Sequence, residues 1–206
     1  MIIGVDFDNT IATYDDLMYK IALEAGFVAK NIEVNKRAIR NAIRALPGGE
    51  KKWRVVQAKA YGPKMKEARL IEGVRTFFMN LKKNRIPVYI ISHKTEFADF
   101  DDSKTNLRKA ALEWMEEKQF FSEKGLGLGM DHVRFGATRI EKIGWIKQLG
   151  CTHFIDDLEE VFSEPDFPGA VRKILFSPLC VNTSSSNTEV FSSWAAIYEN
   201  IIGRPE

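Results

Sequence analysis

Cysteine is scarce in this sequence: Cys151 and Cys180 are the only two among 206 residues. Two thiols exclude a disulfide framework and a cysteine-rich zinc site, and they fit a reducing compartment. Long apolar runs are missing as well. The first, Met1-Ile2-Ile3-Gly4-Val5, stops at Asp6 with no basic region ahead of it. A membrane span needs about 18 or more apolar residues and a secretory signal needs the basic region, so the run is read as neither. A cytoplasmic chain is expected. Nor is there a marked excess of one charge: 30 Lys and Arg against 28 Asp and Glu leave a net charge of +2. What the chain does have is an apolar fraction of 45%, far above that of disordered segments. A chain of this length buries about 70% of its unfolded surface, enough to fold as one large domain, or one domain with an insertion, without a metal or disulfide staple.

The small net charge hides a split. Residues 28–70 carry twelve Lys or Arg against three Glu, a local balance of +9 that leaves −7 for the rest. Such a division bears on what each part meets rather than on the fold. The structural pattern changes in the same place. Residues 2–7 are too short for a helix and read as a buried parallel strand. Helices are expected over 15–25, with Asp15 and Asp16 as caps and Gly26 as the stop, then over 35–46 and 50–61. In the second of these, Ala38, Ile39, Ala42 and Ile43 share one side, and Lys36, Arg40 and Arg44 the other. That basic stripe reads either as a solvated face or as a hold for a second anionic group on a substrate. No clear strand is expected between 14 and 70.

Beyond Gly73, strands and helices alternate. Helices are expected over 74–84, 103–120, 140–149 and 192–202, strands over 87–91, 132–135, 152–155 and 171–176, and a polar surface loop over 182–188. Trp53, Trp114, Trp145 and Trp194 have apolar neighbours and are assigned to the core. This alternation implies an α/β fold: a Rossmann-like parallel sheet with helices on both faces, joined by right-handed crossovers. The expected organisation is a core of 1–12 and 71–206, with a small α-helical insertion over 13–70.

In open α/β sheets, ligands bind beyond the carboxyl ends of the strands. The first strand ends in Asp6-Phe7-Asp8-Asn9-Thr10, the second in Ser92-His93-Lys94, and the fourth in Asp156-Asp157. Four carboxylates converging on one sheet edge repel one another unless a cation compensates, and all-oxygen ligation suits Mg²⁺. A single Asp after a strand is commonly a cap or turn former. Asp-x-Asp-x-Thr directly after an N-terminal apolar strand, with the other two elements following in order, is a more specific pattern.

On these residues the chain resembles the haloacid dehalogenase (HAD) superfamily, mostly phosphatases that act through an aspartyl-phosphate. The 6–10 segment matches that family's first motif, Ser92 the second, Lys142 the third and Asp156-Asp157 the fourth. The resemblance implies that Asp6 is the nucleophile and that Asp8 is the acid and base. It implies phosphate binding by Thr10, Ser92 and Lys142, and Mg²⁺ held by Asp6, the Asp8 carbonyl, Asp156 and Asp157. Lys147 competes with Lys142 for the lysine role, either of Asp156 and Asp157 could be the principal ligand, and Glu160 could add a further acid. His93 and Lys94 either reach the substrate or line a solvated loop. The 13–70 insertion stands where the family places a mobile helical cap, which suits a small anionic phosphorylated substrate. The leading expectation is a Mg²⁺-dependent phosphomonoesterase acting on a small sugar- or nucleotide-type phosphate. Asp8 argues for esters over halides, since a departing halide needs no proton. The alternatives are a nucleic-acid end phosphatase and a non-catalytic binding module on the same fold. Nucleic acid is disfavoured because the basic insertion lacks interleaved aromatics for stacking. No membrane partner is expected, and oligomeric state is not legible.

Overall fold

The apolar run that stops at Asp6 becomes the centre of a sheet. A computed structural model describes residues 1–100, 103–179 and 187–203, and the chain divides into two compact units. The first comprises 1–12, 70–94 and 118–206, the second 13–69 and 95–117. In chain order the elements are β1 (Ile3–Val5), β2 (Ala12–Thr13), α1 (Asp15–Glu24), α2 (Lys36–Arg44), α3 (Gly49–Tyr61), β3 (Arg69–Leu70), α4 (Val74–Lys83) and β4 (Val88–His93). They continue with α5 (Leu107–Glu117), β5 (Val133–Gly136), α6 (Arg139–Gln148), β6 (His153–Asp156), α7 (Glu159–Phe162), β7 (Arg172–Phe176), β8 (Thr188–Phe191) and α8 (Trp194–Ile202).

The first unit is built on a six-stranded parallel sheet in the order β5-β4-β1-β6-β7-β8. Val5 pairs with Ile90 on one side and Ile155 on the other. From β1 the chain winds outward through β4 and β5, then crosses back to β6 and winds the other way. The reversal puts the switch point between β1 and β6, where open sheets of this kind leave a crevice for a ligand. Gly4 is small for a reason: a Cβ there would lie 2.6 Å from a ring carbon of Phe154 on the next strand. One face is covered by α6 and α7, with Ile91, Ile143, Ile146, Phe154, Phe162 and Leu175 packed together. Strand alternation sends Phe176 to the opposite face. There its ring lies 5.6 Å from Trp194 of α8, which in turn lies 4.8 Å from Phe77 of α4. Each such fully buried aromatic contributes about 2–3 kcal/mol of transfer free energy.

The second unit is helical, formed by α1, α2, α3 and α5. Asn35 Oδ1 accepts from the Ala38 N–H (2.8 Å) and caps α2, whose Ile39 and Ile43 are buried. Trp53 and Val56 of α3 are buried in the same unit, and Trp114 of α5 donates from Nε1 to the Ala68 carbonyl (2.9 Å). This unit is larger than the expected insertion. Segment 95–117, assigned from the sequence to the core, joins it because the buried face of α5 packs on α3 and on the turn at Met65–Glu67. The basic stripe on α2 is not uniformly solvated either: Lys36 and Arg40 are half-buried, and Arg44 pairs with Glu50 at 2.7 Å.

Other expectations are corrected locally. Three tryptophans are buried, whereas Trp145 is half-buried, its indole donating to the Phe135 carbonyl (3.2 Å) with Arg134 stacked over it. The short helix α7, the parallel edge strand β8 and the two-residue strands β2 and β3 were not expected, and β3 falls at the end of the 14–70 span in which no clear strand was foreseen. Most of the 182–188 tract and Cys180 lie outside the described residues, but the chain is already in β8 by Thr188. Among the described residues, no helix is long and apolar enough to cross a membrane.

Candidate active site

Each candidate side chain hangs from the carboxyl end of a strand or from the first turn of the helix that follows. Asp6 leaves β1 with its N–H donating to the Ile155 carbonyl (2.8 Å), level with Asp156 on β6. The chain then turns tightly: Ile11 and Ala12 both donate to the Phe7 carbonyl, and Asn9 takes a left-handed φ of 62° that an Asn tolerates. Lys142 enters from α6. Thr138 caps that helix by accepting from the Glu141 N–H (3.1 Å), and Glu141 returns a carboxylate oxygen to the Ala137 N–H (2.8 Å). Lys142, one turn in, is thereby aimed back at the strand ends.

The result is a buried cluster of charge. Lys142 Nζ lies 2.6 Å from Asp6 Oδ1 and 2.6 Å from Asp156 Oδ2, with all three residues buried. Asp156 uses its other oxygen to accept from the Leu158 N–H (3.0 Å). Thr10, fully buried, donates to Asp6 Oδ2 (3.4 Å). The hydroxyl expected to bind phosphate thus supports the Asp6 carboxylate here. Ser92 Oγ is buried at the end of β4 with no hydrogen-bond partner among the described residues. A buried hydroxyl without a partner costs about 1–3 kcal/mol, so it marks a position where a ligand oxygen would be stabilised.

One ammonium does not balance these acids. Burial pushes Asp6 up to about 7 against the pull of Lys142, and the Asp156 and Asp8 carboxylates raise it further. Burial acts on Lys142 in the opposite sense, but Asp156 and Asp6 outweigh it and hold the ammonium charged, above its ordinary value. Asp6, Asp156 and half-buried Asp157 offer carboxylate oxygens that all lie within 4.8 Å of one another. Three carboxylate oxygens held this close can share one divalent cation, and an all-oxygen donor set of this kind suits Mg²⁺. The carboxylate of Asp8, expected as the acid and base while its carbonyl faces the metal, is not in that cluster. It pairs with Lys94 Nζ at 2.7 Å.

The remaining candidates separate cleanly. Lys147 is exposed on α6 while Lys142 is buried, and Glu160 is exposed on α7. His93 is exposed with its Nε2 at 3.1 Å from the Ala137 carbonyl, whereas Lys94 is buried. Lys94 is the residue that sequence reasoning left undecided. The available signal was its spacing: two residues from Ser92, it lies on the same side of an extended chain.

Compared with protein-family models and with curated proteins, the sequence matches none. Solved structures do match, over nearly the whole chain. A HAD-superfamily hydrolase from Ehrlichia chaffeensis is 13% identical with a TM-score of 0.53, covering 97% of this chain and 95% of that one. A family IA, variant 3 HAD hydrolase from Entamoeba histolytica is 12% identical with a TM-score of 0.54, covering 95% and 94%. A dehalogenase is 11% identical with a TM-score of 0.60, covering 99% and 97%. The fold is that of the haloacid dehalogenase superfamily. At such identities the likeness carries the HAD fold alone, and the chemistry has to be read from this chain's own residues. Those residues put an acid-rich, lysine-bridged cluster at the switch point of the HAD sheet.

Proposed function

We propose that the protein is a Mg²⁺-dependent phosphomonoesterase acting on a small phosphorylated metabolite through a phosphoryl group carried on Asp6. The observation that carries this reading is the buried Asp6–Lys142–Asp156 cluster, open to a third carboxylate from Asp157 and lying at the β1/β6 switch point. Asp6, Asp156 and Asp157 would hold the metal. When bound, Mg²⁺ supplies charge neutralisation for the transferring phosphoryl group and for the acids around it.

The chain's own residues supply the rest. Asp6 attacks phosphorus, splitting one displacement into two easier ones. Ser92 donates to a phosphoryl oxygen, and Lys142 offers its ammonium to the developing charge, where catalysis is largely electrostatic positioning. Asp8 gives its proton to the departing oxygen, then takes one from the water that attacks phosphorus and frees Asp6. A halide needs no such proton, so a second carboxylate held in place on Lys94 favours an oxygen leaving group over dehalogenation. A small substrate is favoured over a nucleic-acid strand because cations of the helical unit are tied to acids of the same unit. Lys20 pairs with Glu67, Arg44 with Glu50, Lys64 with Glu24 and Arg69 with Asp16, which leaves less free positive charge for a phosphate backbone.

The test is turnover of 4-nitrophenyl phosphate and a panel of phosphorylated metabolites in Mg²⁺. Hydrolysis is expected, with loss on chelation, recovery on restoring Mg²⁺ but not Ca²⁺, and loss in Asp6→Asn. Full activity after exhaustive chelation would contradict the metal, and full activity of Asp6→Asn, with reversion by deamidation excluded, would contradict the nucleophile.

A further inference from the structure

Lys94 belongs to none of the four motifs, yet the structure buries it. Its side chain is 2% exposed and its Nζ lies 2.7 Å from Asp8 Oδ2. Lysines are almost never fully buried unless paired, since burial removes hydration and rotamer freedom together. Both ends of this residue are anchored. Its N–H donates to the Gly136 carbonyl at the end of β5 (2.9 Å), and its ammonium rests 5.6 Å from the centre of the Phe7 ring. Asp8 is the less enclosed partner, with its side chain 18% exposed.

Resting on the phosphatase reading, we infer that Lys94 is a positioning residue for proton transfer at Asp8. It fixes the orientation of the Asp8 carboxyl group through one oxygen and pairs with the anion that Asp8 becomes. In the first step the Asp6–phosphorus bond forms as the bond from phosphorus to the departing oxygen breaks, and the Asp8 proton passes to that oxygen. Asp8, having given up its proton, is then paired with the Lys94 ammonium across the 2.7 Å contact. In the second step water bonds to phosphorus as the Asp6–phosphorus bond breaks, and Asp8 recovers a proton from that water. Lys94 keeps its own protons throughout. Its contribution therefore scales with how much the leaving oxygen needs a proton, whereas a lysine bound directly to the phosphoryl group would help every ester alike.

Single-turnover release of the alcohol from phenyl phosphate and from 4-nitrophenyl phosphate, in Mg²⁺, separates the two. Phenoxide is the poorer leaving group and depends more on the proton. Lys94→Met is expected to slow phenol release about tenfold or more and 4-nitrophenol release no more than about threefold. Lys94→Arg should recover part of the loss, and adding Lys94→Met to Asp8→Asn should change neither rate. Equal slowing with both esters that persists in the Asp8→Asn background would make Lys94 a phosphoryl ligand and overturn the inference. Should circular dichroism show Lys94→Met unfolded, Lys94→Gln takes its place with the same two outcomes. A wild-type protein that releases neither alcohol removes the phosphatase reading and this inference with it. Wild-type release that Lys94→Met leaves unchanged removes this inference alone.

Discussion

As the proposed nucleophile, Asp6 has to act as an anion in a place that disfavours its charge. Burial and two neighbouring carboxylates raise it to about 7 when only Lys142 answers them. The consequence for stability has a definite sign. A carboxyl group that binds its proton more tightly folded than unfolded destabilises the fold once it is ionised. In metal-free protein, Asp6→Asn is therefore expected to stabilise by up to about 4 kcal/mol near pH 8, with the gain shrinking between pH 7 and pH 4 and vanishing near pH 4. Urea melts at several pH values check this; a loss of stability near pH 8, or a gain independent of pH, would contradict it. Residues such as Asp6, Ser92, Asp156 and Asp157 were legible in the sequence because a polar residue ending an apolar strand stands out. Lys94 was not, because a lysine after a strand is usually solvated and only the fold shows that this one reaches Asp8.

At the scale of elements, α6 sets the site's geometry. Lys142 and Lys147 are five residues apart, about 140° around the helix, so when one faces the strand ends the other faces solvent. Sequence spacing left the two in competition, and the packing of Ile143 and Ile146 against the sheet decides between them. Where α6 begins matters as much as how it turns. A Cβ at Gly136 would lie 2.7 Å from the Lys142 N–H nitrogen, whereas one at Gly144 meets nothing within 4 Å. Gly136→Ala is thus expected to cost about 2 kcal/mol and at least tenfold in turnover by shifting the first turn. Gly144→Ala, in an exposed helix interior, should be neutral or stabilise by up to about 1 kcal/mol. Equal effects of the two in thermal melts and kinetics would remove the argument. Elements such as β8 and α7 escaped the sequence for a different reason. β8 is a short edge strand following a polar tract, and α7 is a single turn, so neither carries enough hydrophobic periodicity to be seen.

Over the whole molecule, the parallel sheet was legible from the alternation of strands and helices, and its HAD connectivity follows from the strand order. The unit boundaries were legible only in part. The segment 95–117 lies between two sheet strands in sequence, and only the packing face of α5 assigns it to the helical unit. The charge split between the segments is likewise real in sequence but softened in structure by ion pairs within the helical unit. At every scale the proposed chemistry meets at one side chain: the sheet presents Asp6, and Asp6 would carry the phosphoryl group. The direct measurement is mass spectrometry of the Asp6-containing peptide after acid quench of Asp8→Asn with 4-nitrophenyl phosphate and Mg²⁺. Without its base, that variant should hold the phosphoryl group on Asp6, and Asp6→Asn in the same background should hold none. Steady hydrolysis by the wild type with no phosphoryl group on Asp6 in either protein would contradict the account.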